Sequence, residues 1–209
     1  MKIILITSYV QKYQKKIVGV VELDSGETLK LEPDTIMQFQ LQTGSELDDK
    51  KLREVMAADQ KRKSLQKALH LISIRPRSAA ELKDRFKREG YFDETIEESL
   101  DYLQKNGYLN DELFAERFAK SKLQKKDIGE AMLRFELHKK GISKIIAENV
   151  ITRIYGETPE LDFAVKAGKK KLRTIKAADE TSKKRKLYQF LAQRGFSADV
   201  IREAMEKLL

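Results

Sequence analysis

Residues 133–143 read Leu133-Arg-Phe-Glu-Leu137-His-Lys-Lys-Gly141-Ile-Ser143, and the same arrangement occurs twice more, at 82–93 and 187–197. Each copy ends on a glycine: Gly90, Gly141 or Gly195. A large apolar residue stands four positions before it (Phe86, Leu137, Leu191) and another eight before (Leu82, Leu133, Leu187). Apolar residues at i and i+4 share one face of a helix, and a glycine just beyond them is a C-cap candidate, because it adopts positive φ without strain. Basic residues fill the last turn (Lys87 and Arg88, Lys139 and Lys140, Arg194), where they complement the helix dipole. After each glycine come Tyr91, Ile142 or Phe196 and then an N-cap type, Asp93, Ser143 or Ser197. Counting three and seven from those caps gives Ile96 and Leu100, Ile146 and Val150, Val200 and Ala204. The pattern predicts helix, glycine turn, helix, three times over.

Each unit has a leading helix, over about 61–74, 111–123 and 161–173, and capping boxes are expected at Ser78-Ala-Ala-Glu81 and Asp127-Ile-Gly-Glu130. The expected domains are helical repeats at 61–110, 111–157 and 158–209, behind a β-rich segment with a linker helix at 1–60. A three-helix unit of this size has a thin core, so the repeats are expected to pack in tandem into an elongated, curved array. In the N-terminal segment, Lys16–Leu23 is β-branched and Asp24-Ser-Gly-Glu27 signals a turn, with Thr28–Glu32 returning as a hairpin strand. Lys2–Tyr9 is the candidate third strand. Asp34 or Thr35 is the expected cap of a short helix through Phe39, and Asp48–Gln60 reads as the linker helix. The fold class is mostly α.

Composition agrees with this class and excludes others. Of 209 residues, 36% are charged and 41% apolar, with ten Gly and three Pro, which favours helices with wide exposed faces. Cysteine is absent, so disulfides and thiolate zinc sites are excluded, as fits a reducing cytoplasm. The apolar run Ile3–Ile6 is too short for a signal peptide, and no stretch approaches a membrane span. A monomer is expected, since no dimerisation segment is evident.

The net charge of +9 is uneven: residues 1–60 carry −2 and the remainder +11. A field of that sign attracts nucleic acid or an acidic protein surface. It is densest between 166 and 186, where ten basic residues face only Asp179 and Glu180. Lys166, Lys169 and Lys170 share a helix face; Lys171, Arg173 and Lys176 follow, and then Lys183, Lys184, Arg185 and Lys186. Placing Lys183–Lys186 at a helix start opposes the dipole, which points to a purpose such as phosphate contact; the alternative is a solvated loop edge. Arg75 and Arg77 flank Pro76 on an interhelical turn, positioned either for an acidic partner or DNA, or to neutralise helix-end carbonyls. Tyr91, Phe92 and Tyr108 read as packing residues. No nucleotide-cradling glycine motif occurs, and His70 and His138 read as structural or solvated. Asp111 and Glu112, with Asn110, read as a helix cap and not as metal ligands. No catalytic residue, metal or cofactor is expected.

The runs Arg75-Pro-Arg-Ser-Ala-Ala-Glu-Leu82, Asn106-Gly-Tyr-Leu-Asn-Asp-Glu-Leu-Phe-Ala115 and His138-Lys-Lys-Gly-Ile142, in this order, resemble the RecX family. The likeness is strongest over residues 65–145, and the repeat carries it to the C-terminus. Asn110 departs from the commoner Asp. The resemblance implies a regulator that lodges in the groove of the RecA–DNA filament and modulates RecA, in the setting of homologous recombination, DNA repair and the SOS response. Some members of the family also bind DNA. The other reading is a free-standing DNA-binding protein, such as a helix-turn-helix transcriptional regulator, although no recognition helix rich in Asn, Gln and Arg is evident.

Overall fold

A computed structural model describes residues 1–11, 16–176 and 179–209. The chain divides into two compact units, one of Met1–Arg75 and Leu82–Tyr108, the other of Pro76–Glu81 and Leu109–Leu209.

The first unit opens with an antiparallel sheet in the order β1 (Ile3–Gln11), β2 (Lys16–Leu23), β3 (Thr28–Leu31). All three expected strands form. Ile3, Val21, Leu23 and Leu31 point to one face and close a small core with Leu41, Leu47 and Val55. Helix α1 (Pro33–Gln38) takes its N-cap from Glu32, so neither Asp34 nor Thr35 caps it: Pro33 is pre-organised for the first helical position and moves the start forward. Helix α2 runs unbroken over Asp49–Ile74, where two helices meeting at residue 60 were expected. No Gly or Pro interrupts it, and its buried residues fall on two opposite sides, Val55 and Asp59 on one and Ser64 and Ala68 on the other. Asp48 caps it, accepting from Lys51 N–H at 2.6 Å. Buried Asp59 fastens α2 to the sheet, accepting Glu32 N–H at 2.7 Å with Lys63 Nζ 2.6 Å away. Ser64 and Ser99 share a buried hydrogen bond at 2.6 Å between α2 and α4 (Asp93–Lys105). Asp93 is the first residue of α4 and not its cap; extended Phe92 takes that place, with its N–H held by Gln60 Oε1 at 2.8 Å.

The helix between them, α3 (Ala79–Arg88), begins in the second unit. That unit continues with α5 (Asp111–Lys125), α6 (Glu130–Lys139) and α7 (Lys144–Glu157), then α8 (Glu160–Leu172), α9 (Glu180–Gln193) and α10 (Ala198–Leu208). Leu133, Leu137, Ile142, Val150 and Ile151 belong to the core of the second repeat; Leu187, Leu191, Phe196, Ile201 and Ala204 belong to that of the third. Half-buried Phe163 packs against both. The glycine caps are as expected. Gly90, Gly141 and Gly195 have φ of 79°, 71° and 80°. Beyond each, the next N–H reaches back across the turn, as in Ile142 N–H to Leu137 carbonyl at 3.2 Å. Ser143 and Ser197 cap α7 and α10.

The second unit joins successive repeats by one chemical pattern used twice. The first N–H of a middle helix is bonded by the first carboxylate of the next repeat: Ala79 N–H to Asp111 Oδ1 at 2.8 Å, and Glu130 N–H to Glu160 Oε1 at 2.9 Å. The glycine turn of the next repeat then lies on the same helix start. A Cβ on Gly141 would run into Ala80 Cβ, and one on Gly195 would stand 2.6 Å from Met132 Cβ, against its backbone. Cations complete each joint. Lys140 Nζ bonds Glu81 at 2.7 Å, and Arg194 Nη1 bonds the Asp127 carbonyl at 2.8 Å. Ser78 caps α3 as expected, accepting Glu81 N–H at 3.2 Å, while its hydroxyl donates to Lys140 carbonyl at 2.7 Å. Asp127 does not cap α6. Gly129 does, because the helix starts two residues later than the Asp-x-x-Glu pattern implies, and Asp127 is buried.

Candidate nucleic-acid interface

Helix α8 buries Ala164, Ala167 and Gly168, and a Cβ on Gly168 would collide with Leu208 of α10. That close approach fixes which face turns outward. Asp162, Lys166, Lys169, Lys170 and Arg173 line a shallow hollow there, so the lysines expected to share a face do so. Two of them are committed to the repeat joint. Lys170 Nζ donates to Asp127 Oδ2 at 2.7 Å, and Lys166 Nζ stands 3.1 Å from Oδ1 as an ion pair. Burial pushes the Asp127 carboxyl up, but the two ammoniums outweigh it and hold it below the usual carboxylate range. Both lysine side chains stay more than 60% exposed, so their outer surfaces still present positive charge.

Lys169 on α8 and Arg173 at its C-cap are exposed, as are Lys184 and Arg185 on α9. Among the described residues, no carboxylate pairs with any of these four. Lys183 Nζ lies 3.7 Å from Glu180. Helix α9 starts at Glu180 under an Asp179 cap that accepts Ser182 N–H at 2.7 Å, so Lys183–Lys186 sit beyond its first residues. The electrostatic cost read from the sequence is therefore absent: acids occupy the positive end of the helix. Lys169–Lys171 fill the last turn of α8, which the dipole favours without any ligand.

Lys171 Nζ stands 5.2 Å above the Phe190 ring, and Arg194 Cζ lies 4.6 Å from the same ring. Sequence reading missed Phe190, Arg194 and Asp127 as members of this region. The i, i+4 spacing of Phe190 and Arg194 was the available signal; Asp127 carried none, being distant in the chain. Arg75 is exposed at the C-cap of α2 in the first unit. Arg77, in the second, is half-buried, with a buried Nε that has no hydrogen-bond partner.

Among the described residues, no group of three or more His, Asp or Glu is placed to hold a metal ion. Among the same residues, no helix is long and apolar enough to cross a membrane. Three domain families match the chain in order: RecX, first three-helix domain, over residues 65–103; RecX, second three-helix domain, over 110–151; and RecX, third three-helix domain, over 159–205. The chain is 35% identical over 153 residues to the regulatory protein RecX of Chlorobium limicola, covering 73% of this chain and 94% of that protein. It is 32% identical over 199 residues to the regulatory protein RecX of Streptococcus gordonii, covering 93% and 74%. Among solved structures, a regulatory protein RecX superposes with a TM-score of 0.71 over 98% of both chains at 23% identity. RecX from Lactobacillus salivarius gives 0.66 over 72% of this chain and 97% of that one, at 26% identity.

Proposed function

The chain belongs to the RecX family, and from that premise we propose that it binds the RecA–DNA filament and inhibits RecA by lodging in the filament groove. In this reading it acts in the cytoplasm as a monomer, by binding and without catalysis, and lowers recombinase activity in DNA repair. The observation that carries the contact surface is the third repeat. Lys169, Arg173, Lys184 and Arg185 project from α8, its C-cap and α9 with no carboxylate partner among the described residues, within the most densely basic stretch of the chain. Unneutralised cations on rigid helices are what a phosphate backbone recruits, by releasing its condensed counterions. Lys166, Lys170, Lys171 and Lys183 extend the field, and Arg75 and Arg77 are assigned a secondary contact.

Co-sedimentation with RecA assembled on single-stranded DNA tests this. The four free cations are replaced together by Glu (Lys169→Glu, Arg173→Glu, Lys184→Glu, Arg185→Glu). Lys170 is left in place, because a Glu there would face buried Asp127 and open the joint. The wild type is expected to pellet with the filament and the variant to stay in solution with unchanged helicity. Equal pelleting would remove the assigned surface. Binding to naked duplex DNA but not to the filament would favour the free-standing DNA-binding reading.

A further inference from the structure

The other side of α8 carries a second feature, distinct from the face that turns toward Asp127. Between the end of α8, residues 174–176 and α9 lies a hollow of about 380 Å³. Lys171, Thr174, Lys176, Lys186, Gln189 and Phe190 contribute to its wall, and among the described residues no carboxylate does. The nearest acid along the chain, Asp179, is committed to capping α9 through Ser182 N–H and hydroxyl.

The chain contains an internal control for what its cations do around a ring. Phe118 also holds two of them, Lys122 Nζ at 5.3 Å and Lys140 Nζ at 5.8 Å from its centroid. There each ammonium is neutralised by a glutamate, Glu136 at 2.9 Å and Glu81 at 2.7 Å. At Phe190, among the described residues, neither Lys171 nor Arg194 has such a partner. An aromatic face holds a cation through its quadrupole without cancelling the charge. Phe190 therefore positions positive charge and leaves it available. Lys186 Nζ spends one donor on the Lys176 carbonyl at 2.6 Å, which ties the two walls together and leaves two donors free.

We infer that this hollow, organised by Phe190 and lined by Lys171, Lys176 and Lys186, binds a phosphate group. Ammoniums suit phosphate as point charges, and the Thr174 hydroxyl and Gln189 amide can supply neutral donors beside them. The volume exceeds that of one oxyanion and leaves room for a group attached to it; the two sources weighed are a nucleic-acid strand and a nucleotide. The inference deepens the proposed contact of the third repeat with nucleic acid and rests on that reading only for its biological source.

The test is fluorescence anisotropy of the full chain with a labelled oligothymidylate, followed by competition with ATP. Phe190→Leu leaves net charge unchanged and keeps an apolar side chain against the core, while removing the ring that holds the cations. It is expected to weaken binding about fivefold, the scale of one cation–π contact. Lys186→Ala is expected to flatten the log–log salt dependence by about 0.7, the loss of one single-strand phosphate contact. Lys105→Ala, which removes the same charge in the first unit, should do neither. Competition by ATP that also depends on Phe190 would identify a nucleotide as a ligand of the hollow; failure of ATP to compete assigns it to the strand. Wild-type affinity and salt slope in both Phe190→Leu and Lys186→Ala overturns the inference, as does failure of the wild type to bind either probe. RecA inhibition persisting in that last case would separate this failure from failure of the proposed function. Lys186→Ala, at an exposed position, keeps the test valid should Phe190→Leu perturb folding.

Discussion

Replacing the three capping glycines with alanine, one at a time, separates the energy of the turn from that of the joint. All three have nearly the same positive φ, between 71° and 80°, so each alanine meets a similar left-handed penalty, about 1–2 kcal/mol. What differs is the neighbour. A Cβ on Gly90 meets nothing within 4 Å, so Gly90→Ala should lose only that penalty. On Gly141 it would overlap Ala80 Cβ, and on Gly195 it would lie 2.6 Å from Met132 Cβ and 2.9 Å from Met132 Cα. Neither neighbour is the free end of a long side chain, so the turn itself must retreat. Overpacking of this kind adds about 1–3 kcal/mol, giving totals of about 2–5 kcal/mol for Gly141→Ala and Gly195→Ala. Retreat at Gly195 should also loosen Gly129 N–H to Arg194 carbonyl, at 2.9 Å, and Ala131 N–H to Gly195 carbonyl, at 3.3 Å. Urea unfolding followed by circular dichroism gives the totals, and amide exchange at Gly129 and Ala131 reads the joint directly. Equal losses for all three variants, or unchanged exchange at Gly129 and Ala131 in Gly195→Ala, would refute the joint as described.

The joints should also respond to pH with opposite signs. Asp127 has a depressed pKa, so its contribution is present above the ordinary carboxylate range and lost as pH falls through its depressed value. Burial raises the Asp111 and Glu160 carboxyls despite the N–H each receives, so their contributions hold while they are protonated and drain as pH rises through their raised values. Asp127→Asn should therefore flatten the acid side of the stability profile in acid titration, and an unchanged acid limb would count against the Lys166–Asp127–Lys170 cluster. Tyr155 donates from its buried hydroxyl to the Ile128 carbonyl at 2.7 Å. Tyr155→Phe leaves that carbonyl unpaired, with an expected loss of about 1–3 kcal/mol in denaturant unfolding; a loss near zero would mean water replaces the hydroxyl.

The repeats were legible because their signals are local. A glycine needing positive φ, an apolar pair four and eight residues earlier and a serine two residues later all lie within one short stretch, as at Leu133, Leu137, Gly141 and Ser143. The strands were legible for the same reason, from the β-branched run at 16–23 and the turn at 24–27. The joints were not. Lys140 meets Glu81 across 59 residues and Arg194 meets Asp127 across 67, and no periodicity connects them. Asp127 was misread because Asp-x-x-Glu is a valid cap signature whose local geometry lost to a tertiary ion pair. The junction at residue 60 was misread because a change from linker to repeat need not break a helix that has no Gly or Pro. For the candidate site, charge density located the region, but only packing around Phe190 and Asp127 divides its cations into structural and available ones.

RecA's ATP hydrolysis on single-stranded DNA, titrated with this protein, is the most direct measurement of the proposed regulation. Hydrolysis is expected to fall at ratios far below one chain per RecA, because a groove-bound inhibitor blocks a cooperative filament. Hydrolysis unchanged even at excess, with duplex DNA bound as usual, would contradict it.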